Sequence, residues 1–310
     1  MDLSKRAAAR IEVHGHRGAA GLKPENTRPS FEAALDAGVD AIECDVHLSK
    51  DERVVVWHDP VLKPQKCRLV DGRGDGPDPD ALPTGDERLW VRHLTAEQLS
   101  RYRCDRIPDT EKFPRKENGP TPLAGDDYRV MTLEELFDFV EAYATSDLKT
   151  ERQRDNARRC RFNIEIKRHP GHPEYVADGF DGRSPGVLER RIIELIERRG
   201  LHERAFIQSF DARSVRAVRT LDDTVEVALL EKDRTFTFEQ MRCWGFQTWT
   251  PHHTLADRGA IDEAHIAGIE VIPWTVNDPR RMAELAYLGV DGLITDRPDL
   301  IFSEVPRHHT

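Results

Sequence analysis

Apolar and polar residues alternate strictly through 42–48, IECDVHL, and the run 53–57, RVVVW, is again rich in strand-forming residues. Side chains two apart on a strand share a face. Ile42, Cys44, Val46 and Leu48 therefore point one way, and Glu43 and Asp45 the other. The linker 49–52 is polar and far too short for a parallel crossover, which takes a dozen or more residues, so the two runs predict an antiparallel hairpin over 41–59. With its turn centred on Lys50 and Asp51, Glu43 falls opposite His58 as a cross-strand neighbour. Further strands are predicted at 10–15, 162–167, 205–209, 225–230, 246–250, 270–275 and 292–295. Between them, apolar residues at helical spacing predict helices at 29–37 (behind Thr27 as N-cap and ahead of Gly38), 94–102, 132–144, 187–199, 212–221, 262–267 and 279–288.

Strands alternating with helices indicate a parallel α/β architecture. Polar residues recur at the carboxyl ends of the strands, where a (β/α)8 barrel keeps its site. The prediction is one TIM-barrel domain over 10–300 with a tail at 301–310. Nine candidate strands are one too many for a plain barrel: either a weak strand near Val225 or Phe246 does not belong, or the 41–59 hairpin distorts the barrel. A doubly wound open sheet is the alternative, but no glycine-rich dinucleotide fingerprint follows the first strand. The stretch 60–161 interrupts the alternation after the third strand and reads as an inserted subdomain. It is rich in Gly, Pro and Asp over 70–86, and mostly charged, hence solvated, over 149–161. Loop-rich excursions of this length are more often functional than idle.

Composition narrows the class. The 310 residues carry a net charge of −10 at pH 7, which argues against nonspecific nucleic-acid binding because that depends on a basic footprint. Local Arg and Lys can still build a pocket for an anionic small molecule. The five cysteines are scattered, with no C-x-x-C pair, so neither a zinc site nor a disulfide framework is suggested, and a reducing compartment is favoured. No apolar run approaches a membrane span or a secretory core. The expectation is a cytoplasmic protein without stable membrane insertion, a trimmed signal peptide being the alternative; the oligomeric state is open.

The chemistry gathers at strand ends. Two carboxylates about 4 Å apart repel by about 4 kcal/mol at an effective dielectric near 20, so Glu43 and Asp45 call for a cation. On the strand 162–167, Asn163, Glu165 and Lys167 share a face, and each charge there needs a partner of opposite sign. His16 and Arg17 sit at the glycine-rich exit of the first strand, HGHRG. The competing reading is an exposed hairpin with surface charges and a Glu165–Lys167 pair satisfying itself. Oxygen-only ligands suit Mg²⁺ or Ca²⁺ better than zinc. Arg, Lys and a divalent cation neutralise charge on a transferring phosphoryl group, and two histidines can move protons near neutral pH. Residue chemistry alone thus points to metal-assisted cleavage of a phosphate ester. Gln208 and Phe210 leave a strand toward the pocket. His169, His172, His252 and His253 read as solvated loop histidines, and His308 and His309 as a disordered tail.

The segments HGHRG, PENT, F-x-x-A-x-x-x-G, IECDVHLSKDERVVVWHD, NIEIK, FIQSF, VIPWTVND and GVDGLITDRPDL follow in that order from His14 to Leu300. Together they resemble the glycerophosphodiester phosphodiesterases. The resemblance implies a TIM barrel of the phospholipase-C-like phosphodiesterase type that hydrolyses glycerophosphodiesters to glycerol 3-phosphate and an alcohol. It implies His16 and His58 as the acid/base pair and Glu43, Asp45 and Glu165 as ligands of one divalent cation, Mg²⁺ or Ca²⁺. Arg17 and Lys167 would contact phosphate, Trp274 would form an apolar wall of the substrate pocket that Phe210 reaches from its strand exit, and 60–161 would form a cap. The cap follows no family pattern, which leaves the alcohol open. The alternatives are a phospholipase-D-like hydrolase of lysophospholipids or sphingomyelin, and a catalytically silent metal- or phosphate-binding module on the same fold.

Overall fold

In the computed structural model, which describes residues 11–70 and 89–304, the chain enters through β1 (Glu12–Gly15), α1 (Arg28–Ala37) and β2 (Ala41–Leu48), which turns back into β3 (Val54–Val56). The inserted stretch contains β4 (Arg68–Leu69), α2 (Ala96–Leu99), β5 (Tyr102–Arg103) and β6 (Met131–Thr132), followed by α3 (Leu133–Thr145) and α4 (Glu151–Arg159). Regular alternation then runs through β7 (Arg161–Ile166), α5 (Val187–Arg199), β8 (Ala205–Ser209), α6 (Ala212–Leu221), β9 (Glu226–Glu231), α7 (Phe238–Cys243) and β10 (Thr248–Pro251). It ends with α8 (Arg258–Ile266), β11 (Glu270–Val271), α9 (Pro279–Leu288), β12 (Gly292–Thr295) and α10 (Pro298–Glu304). Most of the loop expected over 70–86, and the tail histidines His308 and His309, lie outside the described residues.

Eight parallel strands neighbour one another in the order β11-β10-β9-β8-β7-β2-β1-β12. The two ends meet, because Asp291 N donates to Val271 O at 2.9 Å, Ile294 N to Pro273 O at 3.0 Å and Val276 N to Ile294 O at 2.9 Å. Pro273 has no amide hydrogen, so this seam is irregular and the strand expected over 270–275 shrinks to two residues. The fold is a TIM barrel. Both weak strands belong to it, as β9 and β10; the surplus ninth strand is β3.

That extra strand distorts the barrel where the acidic residues sit. One edge of β2 pairs with β7 from Ala41 to Val46; the other edge is shared, with β1 at Ala41 and Ile42 and β3 at Val46 to Leu48. In the gap between them, Gly18 N donates to Glu43 O at 3.2 Å and Trp57 N to Asp45 O at 3.0 Å. Both the exit loop of β1 and the return of the hairpin are thereby delivered onto the carboxylate-bearing part of β2.

The hairpin register differs from expectation. Val46 pairs with Val56 and Leu48 with Val54, and Ser49 N donates to Arg53 O, which leaves a three-residue loop ending on Glu52 at φ 57°. A third loop residue in the left-handed region is a standard hairpin solution, and it moves the pairing by one. His58 is therefore not opposite Glu43; it lies beyond the ladder, after the chain leaves β3.

The barrel interior holds Phe206, Ala228, Ile272 and Ile294, with His14 edge-on to Phe206. The larger core lies between strands and helices and includes Leu133, Leu136, Phe137 and Val140 of α3. α1 is capped as its sequence predicts: Thr27 Oγ1 accepts from Ser30 N and Gly38 closes the last turn at φ 80°, a cap of the kind that contributes about 1 kcal/mol. The charged stretch expected to be merely solvated forms α4, started by a reciprocal Thr150–Gln153 capping box. α2 is shorter than expected, and neither α7 nor α10 is legible as an apolar stripe.

Among the described residues, those of the inserted stretch as far as Val130 gather round a core of their own, with Trp57, Leu62, Val91, Leu94, Leu99 and Tyr102. Across β4 and β5, Arg68 pairs with Arg103, which sets Cys67 opposite Cys104, and the two are joined as a disulfide. This corrects the reading of the cysteines as scattered and unpaired: their separation of 37 residues conceals a register pair. It also removes the argument for a reducing compartment. Among the described residues no helix is long and apolar enough to cross a membrane.

Candidate active site

The loop after β1 is shaped by glycine where backbone comes closest. A Cβ on Gly18 (φ 84°) would lie 2.5 Å from the Ser30 carbonyl carbon, and one on Gly15 would lie 2.4 Å from Gly18 O. This tight turn holds Arg17 at φ 51°, an uncommon conformation for a residue with a side chain. It aims the Arg17 amide at Glu43, whose Oε2 accepts at 2.8 Å, and brings the guanidinium Nε to 3.2 Å from Asp45 Oδ2. Asn26, also left-handed at φ 56°, donates from Nδ2 to the same oxygen at 2.8 Å.

Glu43 and Asp45 are fully buried and Glu165 is 6% exposed; each offers an oxygen within 4.8 Å of the others. The strand registers bring this about: Asp45 pairs with Glu165 across β2 and β7, with Glu43 two residues earlier on the same face. Lys167 Nζ lies 2.6 Å from Glu165 Oε1 and 3.5 Å from Asp45 Oδ1. Yet Glu43 Oε1 and Asp45 Oδ1 are buried without a hydrogen-bond partner. Burial, and then the neighbouring carboxylates Asp45 and Glu165, push the Glu43 carboxyl well above its ordinary range. Burial would raise Asp45 too, but Arg17, His58 and Lys167 outweigh it and hold that carboxyl low. With all three carboxylates ionised, Arg17 and Lys167 leave one formal negative charge in excess, the charge that the raised Glu43 pKa opposes while no cation is bound. Unpartnered acceptor oxygens with surplus negative charge fit a hard divalent cation, which prefers oxygen ligands. With such an ion the cluster would carry one formal positive charge, matched to a phosphodiester anion.

His16 and His58 flank the cluster in different settings. His16 Nδ1 donates to Asp296 Oδ1 at 2.6 Å; Asp296 Oδ2 accepts from Asn277 Nδ2 at 2.6 Å, and Asn277 Oδ1 accepts from the Asp296 amide at 2.9 Å. Burial opposes charge on both partners. The pull of Asp296 nevertheless raises the His16 pKa, and His16 with Asn277 holds Asp296 down at about 2. Lys112, from the inserted segment, reaches to 3.8 Å from Asp296 Oδ2. His58 has a looser contact, Nδ1 to Asp59 Oδ1 at 3.4 Å, while its carbonyl accepts from His47 Nε2 at 3.1 Å. Burial pushes His47 down to about 4, so it is a neutral prop.

Phe210 and Trp274 meet edge to face at 5.4 Å, with Lys167 Nζ 6.0 Å from the Phe210 ring and His252 packed 5.3 Å from Trp274. Trp274 Nε1 donates to Thr250 O at 3.0 Å, which fixes the indole. His169 and His172 stay outside this constellation, clustered with Tyr175, on which His172 stacks at 4.8 Å. The structure thus brings together His16, Arg17, Glu43, Asp45, His58, Glu165, Lys167, Phe210 and Trp274. It adds Glu25, Asn26, Asp296 and Asn277, which sequence reasoning missed. Their signal is faint: PENT, TVND and TDRPDL are loop segments with no periodicity to say where their side chains point.

The model of the glycerophosphoryl diester phosphodiesterase family matches residues 16–300. The glycerophosphodiester phosphodiesterase of Caldanaerobacter subterraneus is 27% identical, over 94% of this chain and 97% of its own length. The Bacillus subtilis enzyme of the same name is 25% identical over 94% of this chain and 85% of its own. Among solved structures, a Silicibacter pomeroyi protein assigned to the same group superposes with a TM-score of 0.74 at 25% identity, covering 94% of this chain and 92% of its own. An Oleispira antarctica phosphodiesterase, solved with the product sn-glycerol-3-phosphate, gives a TM-score of 0.66 at 18% identity, covering 96% and 97%; at that identity the likeness speaks for the fold.

Proposed function

Because this chain belongs to the glycerophosphoryl diester phosphodiesterase family, we propose that it hydrolyses glycerophosphodiesters to glycerol 3-phosphate and an alcohol, with a divalent cation held by Glu43, Asp45 and Glu165. The observation that carries the reading is the buried carboxylate trio with its unpartnered oxygens, flanked by Arg17, Lys167 and two histidines. The bound cation would supply positive charge that neutralises the phosphoryl oxygens and eases deprotonation of the attacking hydroxyl. Arg17 and Lys167 bind the remaining phosphoryl oxygens, their charges already in place before the substrate arrives.

His16, whose Nδ1 is held by Asp296, acts as the acid in this reading, and His58 acts as the base. His58 takes the proton of the glycerol hydroxyl as that oxygen attacks phosphorus, and His16 gives its proton to the departing alcohol. Water then opens the cyclic phosphate with the roles reversed: His16 takes a proton from water and His58 returns its own to the ring oxygen. Phe210 and Trp274 form the apolar side of the glycerol pocket. The described part of the inserted segment ahead of β6, which brings Lys66 and Lys112 near the site, acts as a cap on the alcohol side.

The test is glycerol 3-phosphate release, read by its coupled oxidation, on glycerophosphocholine, -ethanolamine, -inositol and -glycerol. Turnover of at least one, abolished by a chelator and restored by Mg²⁺ or Ca²⁺, is the expected result. Turnover that ignores the chelator, or none on any substrate, overturns the reading.

A further inference from the structure

Glu25, His58 and Asp59 also bring ligand atoms within 4.8 Å of one another, the spacing of a second cation site beside the first. That place is filled by the chain itself. Lys66 Nζ lies 2.7 Å from Glu25 Oε1 and 2.8 Å from Asp59 Oδ2, an ammonium between the two carboxylates. Burial opposes its charge, but Glu25 and Asp59 outweigh burial and keep it protonated. We propose that Lys66 is a positioning residue for the reaction, an internal cation that holds His58 through Asp59 and Arg17 through Glu25, and that the Cys67–Cys104 disulfide keeps it in place. The inference rests on the phosphodiesterase reading for its kinetic arm.

The other oxygens of the two carboxylates face the reacting groups. Glu25 Oε2 accepts from Arg17 Nη1 at 3.0 Å, and Asp59 Oδ1 is the oxygen nearest His58 Nδ1, at 3.4 Å. Lys66 thus occupies the back of each carboxylate and fixes which way its front points. The consequences for the two sides differ. Arg17 is also held by Asp45 and by its own amide on Glu43. The His58 ring has Asp59 as its only hydrogen-bond partner among the described residues. Loss of Lys66 therefore falls mainly on His58, although Lys63 still reaches Asp59 Oδ1 at 2.7 Å.

Lys66 sits in a turn that the inserted segment pins from the other side. Arg106 N donates to Lys66 O at 3.1 Å, Arg106 Nη1 donates to Pro64 O at 2.5 Å, and the neighbouring Cys67 is bonded to Cys104. Cys67 is fully buried and Cys104 nearly so. The 63–67 turn is consequently tied to 104–106 by one covalent bond and two hydrogen bonds, with Lys66 in between. Without the disulfide the turn keeps its two hydrogen bonds to Arg106 and the packing around Cys67, but no covalent tie to 104–106.

The experiment compares Lys66→Met, Lys66→Arg, the double variant Cys67→Ala/Cys104→Ala, and the triple variant adding Lys66→Met. Each is assayed on a substrate the wild type turns over, with ¹H–¹⁵N imidazole spectra in which His58 is assigned by its loss in His58→Asn. Lys66→Met should lower kcat about tenfold or more with KM moved less than about threefold, the split expected when a reacting group is misplaced and binding is not. It should also shift the His58 signals, and Lys66→Arg should restore both in part. The triple variant should be no slower than Lys66→Met alone, since the disulfide acts through Lys66. Wild-type kcat and unmoved His58 signals in Lys66→Met overturn the positioning role, and losses that multiply in the triple variant overturn the tether. Absence of wild-type turnover refutes the phosphodiesterase reading instead, and the His58 spectra still decide this one.

Discussion

Asp296 Oδ1 lies 2.6 Å from His16 Nδ1, a contact that joins residues 280 positions apart at the two ends of the barrel chain. β1 and β12 are direct neighbours, paired from Glu12 with Gly292 to Gly15 with Thr295, so the two strand exits leave the barrel side by side. The contact fixes the imidazole by one nitrogen and leaves the other to the mouth. Asn277 in turn holds Asp296.

Asp296→Asn keeps the shape and removes the charge. It should lower kcat about a hundredfold or more, the scale of a well-placed acid/base group, and move the basic limb of the pH–rate profile to lower pH, because His16 then loses its proton earlier. Stability carries the same signature. Asp296, depressed from 3.8 to about 2, contributes about 2 kcal/mol above its unfolded pKa that is lost as pH falls toward 2. His16, raised above 6.5, contributes below that value and loses its share as pH rises through its folded pKa. Urea denaturation of both proteins across pH 3 to 9 should find the largest gap between about pH 4 and 6.5; a constant gap would remove the charge pair from the account.

The fold was legible to the extent that periodicity was. α5, with Leu188, Ile192 and Ile196 on one face and Gly200 as its stop, is found where the pattern puts it. The hairpin pairing lies one residue from where a turn centred on Lys50 and Asp51 puts it, because nothing in Lys50-Asp51-Glu52 announces that Glu52 adopts φ 57°, as glycine or asparagine would. The seam at Pro273 and the disulfide register depend on partners far along the chain, which local pattern does not report. The candidate site divides along the same line. Glu43, Asp45, Glu165 and Lys167 could be sorted onto faces by alternation alone. Asp296, Asn277 and Glu25 project from loops, where side-chain direction follows from tertiary packing.

The apolar wall gives a prediction of a different kind. Trp274 is fixed by its bond to Thr250 O and packs edge to face on Phe210, which is 39% exposed at the mouth. Neither ring carries a group that moves a proton. Trp274→Ala should raise KM about five- to tenfold, the loss of about 1 kcal/mol of aromatic contact, with kcat within about threefold. A fall in kcat at unchanged KM would make Trp274 part of the reacting geometry instead.

Glu32 offers the corresponding test of stability away from the reaction. It lies on α1 with its side chain fully buried and accepts from Leu123 N at 2.9 Å, Ala124 N at 2.7 Å and Lys149 Nζ at 2.6 Å, as well as from Thr121 Oγ1. One carboxylate thus ties the inserted segment and the start of α4 to the helix that follows the Arg17 loop. Glu32→Ala leaves those donors without their acceptor, although Lys149 keeps Asp36. It should cost about 3–5 kcal/mol, as breaking a buried ion pair does. Burial opposes the charge, but Lys149, Thr121 and the two amides lower the Glu32 pKa below 4.5. Its contribution is therefore complete above about pH 4.5 and lost as pH falls through its folded pKa. Urea midpoints should separate wild type and variant widely at pH 7, and the gap should narrow as pH falls below about 4.5. A loss below about 1 kcal/mol at pH 7 would mean that the 121–124 turn is held by other contacts.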